Sequence, residues 1–281
     1  MNTPTIEQAL HKAAAAGLER LDAQQLLAHV LGCGRTWLHA HADACLTVAQ
    51  ATTWTELLSR AAQGEPLAYL LGEKEFYGLQ LTVTPDVLIP RADTETLVDW
   101  ALERLQNITP TTTPQVIDLG CGSGAIALAI KHHFGAAEVI ALDTSPAALA
   151  VAQANGTRLG LTVQWLNSNW WAAVQGQRFH LAVSNPPYIA QGDSHLAALY
   201  HEPEQALTSG PVGLDALWHI IDNAPDHLQP NAWLLLEHGA TQAAAVRNLL
   251  MERGFHEVSS RRDLAGHERC SGGRWSPNAA Q

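Results

Sequence analysis

Val116-Ile117-Asp118-Leu119-Gly120-Cys121-Gly122-Ser123-Gly124 is an apolar, strand-forming run that breaks into a glycine-rich turn, and a helical pattern opens at Ala125 directly behind it. Glycines permit a tight turn and let a ligand approach the backbone without interference from a Cβ. Nineteen residues after Gly124 a second apolar run, Val139-Ile140-Ala141-Leu142, ends in Asp143. An acid at the tip of the second strand is placed to accept hydrogen bonds from both hydroxyls of a ribose. Strand, loop, helix and acid in this order describe a nucleoside site at the carboxyl ends of the strands.

Working outward from Gln115, the periods alternate in α/β fashion. Strands are predicted at Val116–Leu119, Val139–Leu142, Val163–Leu166, Phe179–Ser184, Trp233–Leu236 and Glu257–Ser259. Helices are predicted at Ala125–His132, Pro146–Asn155, Leu214–Asn223 and Thr241–Arg253. A mostly parallel sheet covered by helices on both faces is the natural assembly. The insert Ala190–Gly213 is long enough to be functional rather than a plain turn.

Upstream, the first seventy or so residues read as helical. Asp22 with Gln25 forms a capping-box variant ahead of Leu26, Leu27, Val30 and Leu31, with Gly32 as the stop. Thr47 with Gln50 repeats the start signal, and Gly64-Glu65-Pro66 ends that helix. Phe76 to Val83 reads as a β-hairpin or pair of short strands, with Pro85 and Pro90 as punctuation. Asp93 is expected to cap a helix carrying Leu97, Val98, Ala101, Leu102 and Leu105, and Thr109 to Pro114 is a polar loop. Trp37, Trp54 and Trp100 are assigned to the core.

Composition bounds the partners. Of 281 residues, 47% are hydrophobic, which is enough for a packed core and excludes a disordered or collagen-like chain. The net charge of −11 opposes binding to a phosphate backbone, because that binding is driven by Lys and Arg displacing counterions. Residues 1–75 hold only Lys12, Arg20, Arg35, Arg60 and Lys74. Met1 to Gln8 has neither a basic nor an apolar leader segment, and no apolar run approaches the roughly 18 residues that span a bilayer. Cys33, Cys45, Cys121 and Cys270 form no C-x-x-C pair, so neither a common zinc spacing nor a disulfide framework is present. His39 with His41, and His132 with His133, are read as solvated histidines rather than metal ligands. The expectation is a reduced, cytoplasmic protein without metal or membrane partner.

Which nucleoside binds is not settled by the loop alone. Gly120, Gly122 and Ala125 satisfy the dinucleotide pattern G-x-G-x-x-G/A, so NAD fits on spacing. The third glycine, Gly124, and the acid Asp118 look more like the S-adenosylmethionine pattern of Class I methyltransferases. A further motif bears on the choice. Phe179-His180-Leu181-Ala182-Val183-Ser184 leads straight into Asn185-Pro186-Pro187-Tyr188, which puts those four residues in the same crevice as the glycine loop. Two consecutive prolines fix two φ angles and remove two backbone donors. The carbonyls of Ser184 and Pro186 and the Asn185 side-chain oxygen can therefore form a rigid acceptor set, with Tyr188 offering an aromatic face. Such a set suits a planar –NH2 group. It orients the nitrogen toward an electrophilic methyl and stabilises the positive charge that develops there.

Asn185-Pro186-Pro187-Tyr188 behind Asp118–Gly124 resembles the amino-group methyltransferases, and the chain is similar more specifically to the bacterial-type N(5)-glutamine methyltransferases of peptide chain release factors. Gly64-Glu65-Pro66-Leu67-Ala68-Tyr69, Glu75-Phe76-Tyr77-Gly78, Ile89-Pro90-Arg91-Ala92-Asp93-Thr94-Glu95 and Leu236-Glu237-His238-Gly239 carry that likeness nearly end to end. The resemblance implies a Class I, Rossmann-like, seven-stranded α/β domain with its last strand antiparallel. The expected organisation is a helical substrate-recognition domain over 1–74, a β-hairpin connector over 75–90 and a methyltransferase domain over 91–281.

The implied activity is methyl transfer from S-adenosylmethionine to the glutamine of a Gly-Gly-Gln motif in release factors, with no direct nucleic-acid contact and a monomeric state. By position, Gly120, Cys121, Gly122, Ser123 and Gly124 would cradle the cofactor, Asp143 hold its ribose and Trp170 lie by the adenine. Asn185, Pro186, Pro187 and Tyr188 would bind the glutamine amide, with Asn185, Pro186 and Tyr188 serving the chemical step and Asn185 also near the methyl donor. Asn169 stands where the family commonly has an acid, which implies an uncharged acceptor for the adenine amine and weaker cofactor binding. Arg91, Asp93 and Glu95 read as a helix cap with surface ion pairs, or by resemblance as a lid near the cofactor, and Glu202-Pro203 either contacts substrate or shapes the insert. The rivals are a DNA or RNA amino-methyltransferase, and a nucleoside-binding or NAD-dependent protein.

Overall fold

The computed structural model describes residues 3–108 and 113–277, so Thr109 to Thr112 of the expected polar loop lie outside the described residues. The chain divides into two units, Met1–Glu73 and Lys74–Gln281.

The first unit is helical: α1 (Ile6–Ala15), α2 (Arg20–Leu31), α3 (Arg35–Ala40), α4 (Val48–Ala62) and α5 (Leu67–Leu71). Capping boxes start α1, with Thr5 and Gln8, and α4, with Thr47 and Gln50. Gly32 ends α2 in the left-handed conformation as expected. Asp22 is not a cap. Glu19 precedes α2 without a side-chain capping bond, and Asp22 sits in the first turn, where its charge favours the positive end of the helix dipole. Leu26, Leu27, Leu38, Trp54 and Leu58 form the core of this unit. Trp37 is not in it. It is 41% exposed, and its ring stacks on that of His41 with centroids 4.1 Å apart; neighbouring helical residues point about 100° apart, and it is Leu38 that α3 turns inward.

A hairpin of β1 (Glu73–Phe76) and β2 (Leu79–Thr82) opens the second unit, all but its first residue, Glu73, lying within it. A 3-10 turn, Ala92–Thr94, then leads into α6 (Glu95–Gln106). Asp93 lies inside that turn and pairs with Arg269 at 3.2 Å instead of capping the helix. Strands β3 (Gln115–Leu119), β4 (Glu138–Asp143), β5 (Gln164–Asn167), β6 (Phe179–Ser184), β7 (Leu228–Glu237), β8 (Phe255–Arg262) and β9 (Glu268–Trp275) form one sheet of order β5-β4-β3-β6-β7-β9-β8. β9 runs antiparallel between β7 and β8, and the β3, β4, β5, β6 and β7 neighbours pair in parallel.

Helices α7 (Ala125–His133), α8 (Pro146–Leu159), α9 (Asp215–Asn223) and α10 (Ala243–Glu252) complete the α/β alternation. Side chains of one strand point to opposite faces, so Val116 packs with α6 and α7 while Ile117 and Leu119 pack with α9 and α10. Trp54 and Trp100 are fully buried in their respective units. The chain order reverses between β3 and β6, with β4 and β5 on one side and β7 on the other. That reversal opens a crevice at the carboxyl ends of β3 and β6, where open α/β sheets bind ligands.

Candidate active site

The glycine loop follows β3 and the Asn185–Tyr188 turn follows β6, so the two motifs flank the crevice from adjacent strands. Gly120, Gly122 and Gly124 all have positive φ, at 76°, 52° and 83°. At Gly124 an added Cβ would stand 3.0 Å from Trp165, 3.1 Å from Leu128 and 3.2 Å from Ala152, so this glycine lets α7 and α8 close behind the loop. The backbone N–H groups of Gly120 and Cys121 both donate to Leu142 O at 2.8 Å. Asn155, fully buried on α8, donates from Nδ2 to Ser123 O at 3.0 Å and to Thr82 O at 2.9 Å. The loop is therefore pinned from β4 on one side and α8 on the other.

Asp143 ends β4 and spans two turns. Its Oδ2 accepts from Gly122 N and its Oδ1 from Ser145 N, both at 2.9 Å. Burial raises the Asp143 carboxyl above its ordinary range, against these backbone donors. Each carboxylate oxygen keeps acceptor capacity toward the cleft. Asp118 is completely buried beneath the loop. Its Oδ2 accepts from Ala127 N at 3.1 Å, and its Oδ1 has no hydrogen-bond partner among the described residues. Burial pushes its pKa up to about 7, Ala127 N opposes the shift and Asp143 adds to it.

A cleft of about 1060 Å³, part of it open solvent, is walled by Gly120–Ser123, Asp143–Ser145, Ser168–Trp170, Asn185 and Pro187, by Asp86, Val87, Leu88, Pro90, Arg91 and Thr94 from the segment before α6, and by Pro203, Gln205 and Ala206 from the insert. Trp170 holds a left-handed φ of 48° and lays its ring against Gly120, where a Cβ would stand 3.4 Å from Cζ3. Ser168 fixes that turn by donating to Trp170 O at 2.7 Å and accepting from Ala173 N at 2.9 Å. Asn169 lines the same wall. A glycine cradle, a half-buried acid at the strand tip and an indole beside the loop fit a nucleoside cofactor of S-adenosylmethionine type. Among the described residues no group of three or more His, Cys, Asp or Glu is arranged to hold a metal.

Of the residues singled out in the sequence, Gly120, Cys121, Gly122, Ser123, Asp143, Trp170, Asn185 and Pro187 meet in the wall of this one cleft. Gly124 backs the loop, Pro186 is buried, and Tyr188 is turned so that its hydroxyl donates to Glu237 Oε1 at 3.3 Å. Burial and Glu237 push the Tyr188 phenol far up, so it stays protonated. Asn185 donates from Nδ2 to Thr94 Oγ1 at 3.2 Å, which leaves Oδ1 as its acceptor.

Several neighbours had no assigned role. Glu237 is buried at the end of β7, and burial pushes its carboxyl up to about 7 against the pull of Thr94, Arg269 and Tyr188. Gln242 donates from Nε2 to Tyr188 O at 3.0 Å and Gly213 O at 3.2 Å, while its Oε1 accepts from Gly239 N at 2.8 Å. Glu202 reaches out of the insert to accept from Ile89 N at 3.1 Å and to pair with Arg91. Arg91, Asp93 and Glu95 thus go to three different partners: Glu202, Arg269 and the Tyr77 backbone N–H. A signal for Glu237 was present, since an acid ending an apolar strand in an α/β sheet points into the crevice region. Gln242 and Asn155 had none, because a lone amide in a helical pattern reads as surface.

The comparisons define the class. Residues 98–263 match the family model described as a methyltransferase small domain, and residues 5–72 match the PrmC N-terminal domain. A methyltransferase from Pyrococcus furiosus superposes with a TM-score of 0.54 at 17% identity, covering 79% of this chain and 99% of that one, which supports the fold alone. The fold and its crevice are those of a Class I methyltransferase. The release factor glutamine methyltransferase of Bordetella pertussis is 51% identical over 92% of this chain and 95% of its own length. That of Burkholderia pseudomallei is 48% identical over 98% and 99%. The chain belongs to the release factor glutamine methyltransferase family.

Proposed function

We propose that this chain transfers a methyl group from S-adenosylmethionine to the side-chain amide nitrogen of glutamine in the Gly-Gly-Gln motif of peptide chain release factors. Family membership supports the substrate, and one observation supports the chemistry: the Asn185 amide is anchored through Nδ2 on Thr94, so its oxygen is free to accept from a substrate amide.

When bound, the cofactor supplies an electrophilic methyl on a sulfonium. The chain binds and orients it through Gly120–Ser123, Asp143 and Trp170. A carboxamide nitrogen is a weak nucleophile because its lone pair is delocalised. Asn185 Oδ1 and the carbonyls of the proline turn accept its two N–H groups and hold the nitrogen toward the methyl. Transfer would form the N–C bond and break the C–S bond, leaving the electron pair on sulfur, and positive charge would develop on the nitrogen that Asn185 holds. Acceptors fixed in place stabilise that charge more in the transition state than in the ground state. The nitrogen then sheds one of its protons to solvent, and no side-chain base is required beforehand. Asn169, in place of an acid, would accept from the adenine amine without charge.

The test is transfer of labelled methyl from S-adenosylmethionine to an intact release factor and to one whose Gly-Gly-Gln glutamine is replaced by alanine. Label on the first alone is expected. Equal label on both would refute the proposal, and so would label on DNA or RNA in place of protein.

A further inference from the structure

The side chain of Gln242 makes more bonds than its place in the fold requires. Gln242 is half-buried and stands immediately before α10. Its backbone N–H donates to Gly239 O at 2.9 Å, and its Oε1 accepts from Gly239 N at 2.8 Å. That reciprocal pair closes the turn between β7 and α10. Glutamate would close it at least as well, because a carboxylate is the stronger acceptor and negative charge is favoured at a helix N-terminus. The use of an amide therefore rests on its other end.

With Oε1 committed to Gly239 N, the amide has one orientation, and Nε2 faces the opposite way. It donates to Tyr188 O at 3.0 Å and to Gly213 O at 3.2 Å. Tyr188 stands just before the insert and Gly213 ends it, so one amide joins the two roots of that segment to the turn after β7. Neither carbonyl can donate to the other, and the two Nε2 hydrogens are what links them. Gly213 makes the approach possible, since a Cβ there would stand 2.9 Å from Nε2. The acceptor side of the clamp is braced in turn. Gly239 O accepts from His238 Nδ1 at 2.9 Å, and burial keeps that ring neutral, so its Nε2 receives the Ser271 hydroxyl of β9 at 2.7 Å. Tyr188 is thereby held at both ends, its hydroxyl on Glu237 and its carbonyl on Gln242.

Resting on the function proposed above, we infer that Gln242 is a positioning residue for methyl transfer: by donating to Tyr188 O it clamps the carbonyl end of the Asn185–Tyr188 turn and so aims the turn's acceptors at the substrate –NH2. Gln242 is not among the residues that wall the cofactor cleft, so its effect falls on the turn and not on the cofactor. Glutamate in its place isolates the donor. When ionised it can still accept from Gly239 N, but it turns an acceptor toward Tyr188 O and Gly213 O. When protonated it donates and accepts as the amide does. Desolvated and facing two carbonyl oxygens, the introduced carboxyl should titrate above the ordinary glutamate value of about 4.3. The charged and titratable groups on the elements that meet here are Tyr188 after β6, Asp215 on α9, Glu237 and His238 at the end of β7, Arg247 on α10 and Arg269 on β9. All of them are common to wild type and variants, so a rate ratio to wild type reports the introduced carboxyl alone.

The experiment compares wild type, Gln242→Glu and Gln242→Met in single-turnover methylation of a release factor at saturating cofactor. Both variants lose the donor to Tyr188 O, and the misaimed turn should lower the rate at about pH 8 by about tenfold or more. Cofactor affinity, read by calorimetry, should stay near wild type in both. The rate of Gln242→Glu relative to wild type should climb toward one as pH falls from about 8 to about 5, because protonation restores the donor. Methionine has nearly the length of glutamine and nothing to titrate, so the ratio for Gln242→Met should stay low and flat. A folded Gln242→Glu with the wild-type rate at about pH 8 would overturn the inference, and so would a slow Gln242→Glu whose ratio is as flat as that of Gln242→Met. Should Gln242→Glu not fold, a wild-type rate in Gln242→Met would overturn it equally. A wild type that leaves the release factor unmethylated would defeat the functional reading itself, which is a separate outcome.

Discussion

At the scale of single residues, Asp143 and Asn185 carry the heaviest demands. Asp143 already holds Gly122 and Ser145, so its replacement by alanine removes both the proposed ribose acceptor and a brace of the glycine loop. Losing hydrogen bonds to a charged acceptor costs about 1.5–3 kcal/mol. Calorimetry on Asp143→Ala should show cofactor affinity down by about tenfold or more. Unchanged affinity would contradict the assignment, as would tighter binding of NAD than of S-adenosylmethionine by the wild type. Asn185→Ala should lower the single-turnover rate by about 100-fold or more. Asn185→Asp keeps an oxygen of similar reach and should retain clearly more activity than alanine. Equal rates for the two variants at saturating cofactor would refute the acceptor role.

At the scale of elements, the Asn185–Tyr188 turn is held by segments far from it in sequence. Gly213 has a φ of 74°, and a Cβ there would meet Tyr188 O at 2.2 Å, while Gln242 bonds both carbonyls. Gly213→Ala must therefore push the turn away. A reduced melting temperature and a loss of methylation are expected together, and wild-type behaviour on both counts would contradict this packing. Glu202 ties the insert to Ile89 and Arg91 in the segment before α6. Glu202→Ala leaves the Ile89 N–H without its acceptor, at about 1–3 kcal/mol, and a lower melting temperature should report it. These ties also mark the limit of sequence reading. The glycine loop, Asp143 and the proline turn were legible because backbone chemistry dictates residue type at fixed spacing. The strands β3, β4 and β6 were legible because buried parallel strands are continuous apolar runs. β9, Glu268–Trp275, carries no such run: Arg269, Ser271, Gly272, Gly273 and Arg274 interrupt it, and only the family resemblance implied an antiparallel strand there. The Asp93 and Asp22 caps failed because each helix starts at a different residue: α2 opens two residues before Asp22, and Asp93 lies in a 3-10 turn paired with Arg269.

At the scale of the whole molecule, two buried acids shape stability against pH. Asp118 and Glu237 each titrate at about 7 in the folded state, above their ordinary values of 3.8 and 4.5. Between those values the folded protein holds protons that the unfolded chain has released, so stability falls as pH rises through this interval. Asp118→Asn should flatten the decline in melting temperature between pH 5 and pH 8, and an unchanged slope would exclude Asp118 as a cause. The helical unit, separate from the cleft residues, is proposed to hold the protein substrate, because one glutamine side chain offers little contact area. A chain beginning at Lys74 that folds should still bind the cofactor yet lose most methylation of an intact release factor. Full activity on the intact protein would refute that role. No helix among the described residues is long and apolar enough to cross a membrane. The central claim is where the methyl goes. After incubation of the purified protein with S-adenosylmethionine and a release factor, fragmentation mass spectrometry of the Gly-Gly-Gln peptide should place the added methyl on the glutamine side-chain nitrogen. An unmodified glutamine, with the methyl elsewhere or absent, would contradict it.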